Sequence, residues 1–384
     1  MDRSRRYDYV IVGDGSAGCI MAARLGEIAD ARILLIEAGP PDVSPDIHRL
    51  VSFYKMTSGA LTWGYQTAPS PQREGQVVPL AQARVLSGGS SINAMVFTRG
   101  NPKDYDAWAS EEGCGGWAFE DVLPYFRRAE DNNRLADAYH GTGGPLAASD
   151  LISPHPLSRA FVRAAQQAGL QHNGDFNGAE QEGAGLYQVT QRDGRRCSAA
   201  VAYLRPAVRR GNIDVVTDAL AHRLIVEKGR AVGVRYFANG ALADVRAEQE
   251  VIVAAGAIGS PKLLLLSGIG PADELRVVGV QSLHDLPGAG LEAGVPPVPG
   301  GYGCTINSCH LRPRGSVTLR SPDPLIPPEI DPNYWAEAYD FEMSLRGLEM
   351  TRQIAHQSCA SCSVPWCGLT DQCWIVLAVS SIVE

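Results

Sequence analysis

The 384-residue sequence lacks the features that mark several classes of protein. It has no apolar run of about 18 residues, so we predict no transmembrane segment. Charged residues make up only 20% of the chain and the formal net charge is -8, so no strongly basic surface is available to bind nucleic acid. Apolar residues make up 45% of the chain, which excludes a disordered protein.

The cysteines and the first residues do not indicate secretion. The nine cysteines lack the spacing of a small disulfide-bonded scaffold. The first apolar stretch, residues 7–12, contains Asp8 and runs into glycines instead of a cleavage site, so it does not resemble a signal peptide. We therefore predict a cytoplasmic protein and leave peripheral association with the inner membrane open.

Glycine, in contrast, is abundant, with 41 residues. Glycine lets the backbone turn tightly or approach a ligand closely, so this composition favours a cofactor-binding protein. The first glycines lie within an alternating pattern: residues 7–12 predict a buried strand, 17–28 a helix and 32–37 a second strand. This order is typical of a parallel sheet with a crossover helix.

Gly13, Gly15 and Gly18 match the pattern G-x-G-x-x-G between the first strand and the helix. Gly13 allows the sharp turn, Gly15 lets the backbone approach a pyrophosphate at the helix amino terminus, and Gly18 permits close packing of helix on strand. Glu37 ends the second strand, where its carboxylate can accept hydrogen bonds from ribose hydroxyls and would repel a 2′-phosphate. The pattern predicts a dinucleotide site but does not separate NAD from FAD.

The rest of the chain alternates between helical and strand patterns, without an internal repeat. A Gly- and Pro-rich stretch, residues 291–300, predicts a linker. We expect helices at 119–129, 155–168 and 260–266, the last with Pro261 at its first position, and strands at 213–217, 222–227, 231–237 and 251–255.

Two longer segments resemble the signature segments of the glucose-methanol-choline (GMC) family of FAD-dependent oxidoreductases. They are ARVLSGGSSINAMVFTRG at 83–100 and VIVAAGAIGSPKLLLLSGIG at 251–270. The resemblance runs almost continuously over 7–290, and it is strongest to choline-dehydrogenase-like and aliphatic primary alcohol dehydrogenases. It implies FAD as the cofactor and a primary alcohol as the substrate, and it does not identify the electron acceptor.

The same resemblance implies the residues of an FAD site. Asn93 offers donors and an acceptor, and the small residues around it let backbone amides approach an anion. Ile92 stands where some members carry a histidine bonded to the flavin, so noncovalent FAD is implied. The implied cofactor-binding residues are Gly13, Gly15, Ser16, Gly18, Glu37, Val85, Gly88, Asn93, Ala94, Met95, Val96, Ala221 and Gly256, of which Ala221 matches the position at the adenine.

No catalytic residue is predicted. In the family, a histidine in a C-terminal motif takes the hydroxyl proton while FAD accepts the hydride, and this sequence lacks the motif. His140, His155 and His310 are interpreted as surface or structural residues. Two alternatives therefore remain: a flavin-binding or unfolded remnant without turnover, and an NAD-dependent enzyme.

The predicted fold class is α/β, or α+β overall. A Rossmann-like FAD-binding domain (1–40, 80–130, 205–290) is combined with a discontinuous, incomplete substrate domain built on an antiparallel sheet (41–79, 131–204, 301–355). Residues 356–384 are expected to form a tail that does not belong to the family. We predict no metal site there, because the four cysteines and His356 lack the usual separation of two zinc-ligand pairs.

Overall fold

A computed structural model describes residues 6–286, 290–291 and 314–357 of the chain. These residues divide into two compact units. The first holds the described residues of segments 1–93, 198–296 and 312–338, and the second holds those of 94–197 and 339–384. The predicted bounds of the FAD-binding and substrate domains stay predictions.

The described residues contain helices of very different length, from single turns to the 18-residue helix near the end. Of these helices, none is long and apolar enough to cross a membrane. Their bounds are α1 (Ser16–Leu25), α2 (Pro45–His48), α3 (Gly89–Ile92), α4 (Pro102–Ser110), α5 (Phe119–Ala129), α6 (Pro156–Gln167), α7 (Arg205–Val208), α8 (Gly256–Leu266), α9 (Ala272–Val277) and α10 (Ala338–Ala355).

The strands include several two-residue pairs and the longer strands of the main sheet. They are β1 (Tyr7–Val12), β2 (Ile33–Ile36), β3 (Tyr65–Gln66), β4 (Pro79–Leu80), β5 (Glu130–Asn132), β6 (Leu146–Ala148), β7 (Gln191–Arg192), β8 (Arg195–Arg196), β9 (Ile213–Val216), β10 (Leu220–Glu227), β11 (Arg230–Ala238), β12 (Ala241–Val253), β13 (Ile269–Gly270), β14 (His284–Asp285), β15 (Gly290–Leu291), β16 (Gly315–Thr318) and β17 (Glu329–Asp331).

The main sheet of the first unit has the strand order β10-β11-β12-β1-β2-β9. Strands β12, β1, β2 and β9 run parallel, while β10, β11 and the first half of β12 form an antiparallel meander. Val12 pairs with Ile36 on one side and with Val253 on the other, so these three parallel strands end at the same edge of the sheet. Ligands of doubly wound sheets bind at this carboxyl edge.

The core of the first unit forms around β1 and β2. All four residues of β2 are buried, and Val10 and Ile11 of β1 are fully buried. A strand covered on both faces needs a continuous apolar run, which explains why neither sequence alternates. On one face of these two strands, Val10 and Leu34 pack in a single apolar cluster with Tyr236 of β11 and Leu263 of α8.

The predicted element types are confirmed, but three boundaries differ from the observed ones by three residues or more. Helix α1 ends at Leu25, and the Gly26 that follows it packs closely on Ile213, since a Cβ on Gly26 would lie 2.7 Å from Cδ1 of that side chain. Helix α8 begins at Gly256, which places Pro261 inside the helix. Strand β12 begins at Ala241, and its polar first half went unpredicted because it is stabilised by pairing with β11 rather than by burial.

The second unit is built mainly from helices α4, α5, α6 and most of α10, with the short sheets β5-β6 and β7-β8. Phe161 of α6 and Ile354 of α10 are both buried in its main apolar cluster. The three-stranded antiparallel sheet formed by β15, β16 and β17 belongs to the first unit. The four cysteines of the predicted tail lie outside the described residues.

Candidate functional site

A cavity of about 470 Å³ lies in the first unit at the carboxyl edge of the parallel strands. The ends of β1, β2 and β12, the amino termini of α1 and α8, and the start of β10 all contribute to its wall. Seven of the residues predicted to bind the cofactor line it: Gly13, Gly15, Ser16, Glu37, Gly88, Ala221 and Gly256.

Two glycines of the motif are required by the protein itself. Gly13 has a positive φ of 89°, and a Cβ there would lie 2.6 Å from the carbonyl oxygen of Ala254. A Cβ on Gly18 would lie 2.0 Å from the carbonyl oxygen of Gly13. Both distances are far below van der Waals contact, so Gly13 and Gly18 let the turn form and let α1 pack on β1.

Gly15 differs from these two glycines. Its φ is -55°, which any residue adopts, and a Cβ added to it would lie 4.0 Å from the nearest atom, the carbonyl oxygen of Ala254. The protein fold therefore leaves room for a side chain at Gly15. Gly15 lines the cavity, so the space that its missing side chain leaves is open to the cavity, while its Cα packs closely against Gly88.

The amino terminus of α1 offers hydrogen-bond donors to this cavity. Gly15 is the N-cap residue, no side chain caps the helix, and the first turn contains no acidic residue. Ser16 and Ala17 of this first turn line the cavity. The first N–H groups of a helix have no partner within the helix, and the helix dipole favours negative charge at this end, so the arrangement suits a phosphate group.

Glu37 lies at the end of β2 and is nearly buried. Its Oε1 accepts a hydrogen bond from the N–H of Gly39 (2.8 Å), and its Oε2 accepts one from the N–H of Asp14 (3.2 Å). Burial raises the pKa of Glu37, and these backbone donors oppose the shift. The carboxylate is thus held in a fixed orientation with lone pairs left for ribose hydroxyls.

Asp14, inside the glycine motif, is fully buried. Its Oδ1 accepts a hydrogen bond from the N–H of Ser87 (3.0 Å), and its side chain also pairs with that of Glu37. Burial, followed by the charge of Glu37, raises the pKa of Asp14 well above its ordinary value. Two adjacent buried carboxyls cannot both ionise cheaply, so Asp14 keeps the proton and the pair carries one negative charge.

Part of the cavity wall is apolar and aromatic. The rings of Trp63 and Tyr65 stack with centroids 5.6 Å apart and planes within 9°. Ala219 lies beside Glu37, since its N–H donates to the carbonyl oxygen of Glu37 at 2.8 Å. Ala219, Ala221, Trp63 and Tyr65 all line the cavity. A flat aromatic base beyond a ribose at Glu37 fits this wall.

The other six predicted site residues do not line the cavity: three lie elsewhere in the first unit and three belong to the second unit. Gly18 packs against Gly13, and Val85 is fully buried in an apolar cluster of the first unit. Asn93 is exposed and follows α3. The second unit contains the remaining three, and there the carbonyl oxygen of Met95 accepts a hydrogen bond from the N–H of Thr190. These three are Ala94, Met95 and Val96, and cofactor contacts for all six residues stay predictions.

Sequence reasoning missed several residues that matter for the site, among them Gln82 and Lys262 of the cavity wall and Asp14, whose N–H donates to Glu37. Asp14 is a charged residue inside a glycine motif, and Lys262 interrupts an otherwise apolar helix, so both were detectable as unusual. Gln82 carried no such signal, because its place on the cavity wall depends on how the chain between β4 and α3 folds.

The histidines support the structural interpretation where the structure describes them. His140 is buried, with Nδ1 2.9 Å from Oε1 of Glu130 and Nε2 3.0 Å from Oδ2 of Asp175. His155 is exposed and caps α6 through its side chain. His310 lies outside the described residues. Within the described ranges, no histidine lines the cavity and no group of three potential metal ligands occurs.

Family models and known proteins match this chain over most of its length. The N-terminal and C-terminal models of the GMC oxidoreductase family match residues 7–290 and 312–372. The second match includes the first residues of the segment predicted to be a tail outside the family. An alcohol dehydrogenase (acceptor) from Pseudomonas putida is 35% identical over 91% of this chain and 78% of the relative.

Two further proteins resemble this chain over most of its length. An oxygen-dependent choline dehydrogenase from Brucella anthropi is 45% identical over 74% of this chain, and the match spans about half (51%) of that relative's length. The crystal structure of pyridoxine 4-oxidase from Mesorbium loti superposes with a TM-score of 0.83 at 32% identity, over 92% of this chain and 81% of that one. The Pseudomonas alignment spans 432 positions, so that relative contains residues that this 384-residue chain lacks.

Proposed function

Because the chain belongs to the GMC oxidoreductase family, we propose that it is an FAD-dependent oxidoreductase that acts on the CH–OH group of a primary alcohol, either choline-like or aliphatic. The observation that carries this proposal is the cavity at the carboxyl edge of the sheet, where the uncapped amino terminus of α1 and the carboxylate of Glu37 lie along one wall. The names of the Pseudomonas and Brucella relatives support the substrate class.

The residues of the cavity fit the ADP half of FAD. The N–H groups of the first turn of α1 would bind the diphosphate, which the missing side chain of Gly15 lets approach. Glu37 would accept hydrogen bonds from the ribose, and the wall at Ala221 would contact the adenine. When bound, FAD supplies the redox chemistry by accepting a hydride from the carbon that bears the hydroxyl group.

We further propose that FAD is bound without a covalent bond to the chain. Ile92, the residue at the position of the family's histidine attachment site, is a buried alkyl side chain that offers no nucleophile. It packs with Ile47, Met56 and Val85 in the apolar cluster of the first unit. The proposed location stays cytoplasmic, with peripheral association with the inner membrane left open.

A second candidate function is flavin binding without turnover. Two observations favour it: the Pseudomonas relative contains residues that this chain lacks, and no histidine of the described residues lines the cavity. A general base must come within hydrogen-bond distance of the alcohol. The described part of this cavity therefore carries no candidate histidine for that role.

The experiment that separates these functions starts with the full chain purified without added cofactor. FAD binding predicts a yellow protein with the visible spectrum of oxidised flavin. Under anaerobic conditions and without NAD, choline or a primary aliphatic alcohol should bleach this spectrum if the chain turns over. Yellow protein that never bleaches supports the second candidate, and colourless protein that binds NAD contradicts both.

A further inference from the structure

A lysine lines the same cavity, on the wall formed by α8. Lys262 is only 6% exposed. Its ammonium group donates a hydrogen bond to the carbonyl oxygen of Pro324 at 2.7 Å. An ammonium group has three protons, and in the described part of the chain Pro324 is the acceptor that the structure provides. Two donors are thus left for something in the cavity.

Burying this amine is costly. Taking an ammonium group out of water disfavours its charged form, and this burial lowers the pKa of Lys262 to about 8. Leu263, Leu264 and Leu265 follow it in the helix, so an apolar side chain would suit this helix equally well. A buried amine that faces a cavity points to a ligand that accepts hydrogen bonds.

The position of Lys262 follows from the path of the cavity. A diphosphate at α1 and a ribose at Glu37 place the base beyond Glu37, on the side where Ala219 contacts it. Strand β10 begins there, and α8 lies against β10, because the N–H of Leu224 donates to Oγ of Ser267, the residue that follows α8, at 2.8 Å. Lys262 is therefore on the wall that faces the base, together with Ala221.

We propose that the ammonium group of Lys262 donates a hydrogen bond to a ring nitrogen of the adenine of the bound nucleotide. The ring nitrogens of adenine are acceptors, which an ammonium group can satisfy, whereas its exocyclic amino group is a donor, which an ammonium group repels. Lys262 is thus a binding residue for the base, and it favours a ring nitrogen rather than the amino group next to α8. This inference rests on the proposed function.

The test uses the full chain after its flavin has been removed. Isothermal titration measures the affinity for ADP, which contains the base, ribose and diphosphate, and for inorganic pyrophosphate, which lacks the base. Lys262→Met should weaken ADP binding about tenfold, the usual effect of losing a hydrogen bond to a charged group, and leave pyrophosphate binding unchanged. The matched control is Lys103→Met at an exposed position of α4, which should change neither affinity.

A pH series provides a second readout. The protonated amine is the donor, so ADP affinity of the unaltered chain should fall as the pH rises through about 8, and the fall should be absent in Lys262→Met. Among the other charged groups, Asp323 acts on Lys262 and partly opposes the effect of burial, while Glu37 and Tyr65 line the same cavity, where the charge of Arg84 acts on both. Burial raises the pKa of Tyr65, so this hydroxyl stays protonated in that pH range. If Lys262→Met fails to fold, Lys262→Gln replaces it. Glutamine keeps a neutral donor, so this variant should bind ADP more weakly than the unaltered chain and show no fall in affinity near pH 8.

Two results would overturn the inference while leaving the proposed function intact. One is ADP affinity that is the same in Lys262→Met as in the unaltered chain. The other is an equal loss for ADP and pyrophosphate, which would place the lysine at the diphosphate. If the unaltered chain binds neither ADP nor FAD, the proposed function and this inference fail together.

Discussion

Gly15 and Gly18, at either end of the first turn of α1, make the sharpest prediction, because they are glycine for opposite reasons. A Cβ on Gly18 would lie 2.0 Å from the carbonyl oxygen of Gly13, and backbone cannot move aside as a flexible side chain can. Overpacking of this kind costs about 1–3 kcal/mol, so Gly18→Ala should lower the free energy of unfolding by about 2 kcal/mol. It should also lower FAD affinity, since the turn must shift.

Gly15→Ala should separate these two effects. The nearest protein atom to its Cβ is 4.0 Å away and its φ is -55°, so the free energy of unfolding should stay within about 0.5 kcal/mol of the unaltered value. The added methyl group, however, occupies the space through which a diphosphate approaches the N–H groups of α1. FAD affinity should therefore fall by at least about tenfold.

The assay pairs urea unfolding of the flavin-free chain with titration of FAD, followed by quenching of flavin fluorescence. Gly115→Ala is the matched control, because Gly115 is exposed and has no atom within 4 Å of its Cβ position. It should change neither quantity. If Gly15→Ala binds FAD as tightly as the unaltered chain, or if it unfolds as easily as Gly18→Ala, the assignment of the diphosphate site is wrong.

Three further predictions follow from buried groups. The raised pKa of Asp14 means that the folded chain holds this proton more tightly than the unfolded chain, so stability is lost as the pH rises through the folded-state pKa. Asp14→Asn should remove that loss. Equal pH dependence of unfolding in both proteins would contradict this prediction. Burial alone would lower the pKa of His140, but hydrogen bonds and charge from Glu130 and Asp175 raise it overall. The stabilisation that the protonated His140 contributes is complete below the ordinary pKa of 6.5 and is lost as the pH rises through the folded-state pKa. The unaltered chain should therefore lose more stability than His140→Gln as the pH is raised from 6.5. Parallel curves of unfolding free energy against pH would refute this prediction. Finally, acid precipitation should release all flavin from the chain, because Ile92 offers no attachment; yellow precipitate would show a covalent bond.

The elements of the fold that the sequence predicted correctly are those that depend on neighbouring residues alone. The exact bounds of β1 were predictable because an apolar run directly before a glycine turn leaves no other structure. The start of β12 was not, since Ala241 and its neighbours are exposed and form a strand only because β11 pairs with them. The close packing of Gly26 after α1 involves Ile213, which lies far along the chain, so no local pattern predicts it.

The candidate site likewise has residues that a local pattern predicts and residues that only distant contacts bring in. Gly13, Gly15 and Glu37 lie within one βαβ unit, and the pattern predicted both their proximity and their separate roles. The hydrogen bond from Ser87 to Asp14 and the one from Lys262 to Pro324 join segments 73 and 62 residues apart, and no local pattern predicts such contacts. The burial of both titratable groups depends on how the first unit packs.

A crystal structure of the full chain, grown from yellow protein, tests most directly whether the cavity at the end of β1, β2 and β12 holds the diphosphate and ribose of FAD. We predict diphosphate oxygens within hydrogen-bond distance of the N–H of Ser16 and ribose hydroxyls on the carboxylate of Glu37. A nucleotide bound elsewhere, with this cavity filled by protein side chains, would contradict the assignment.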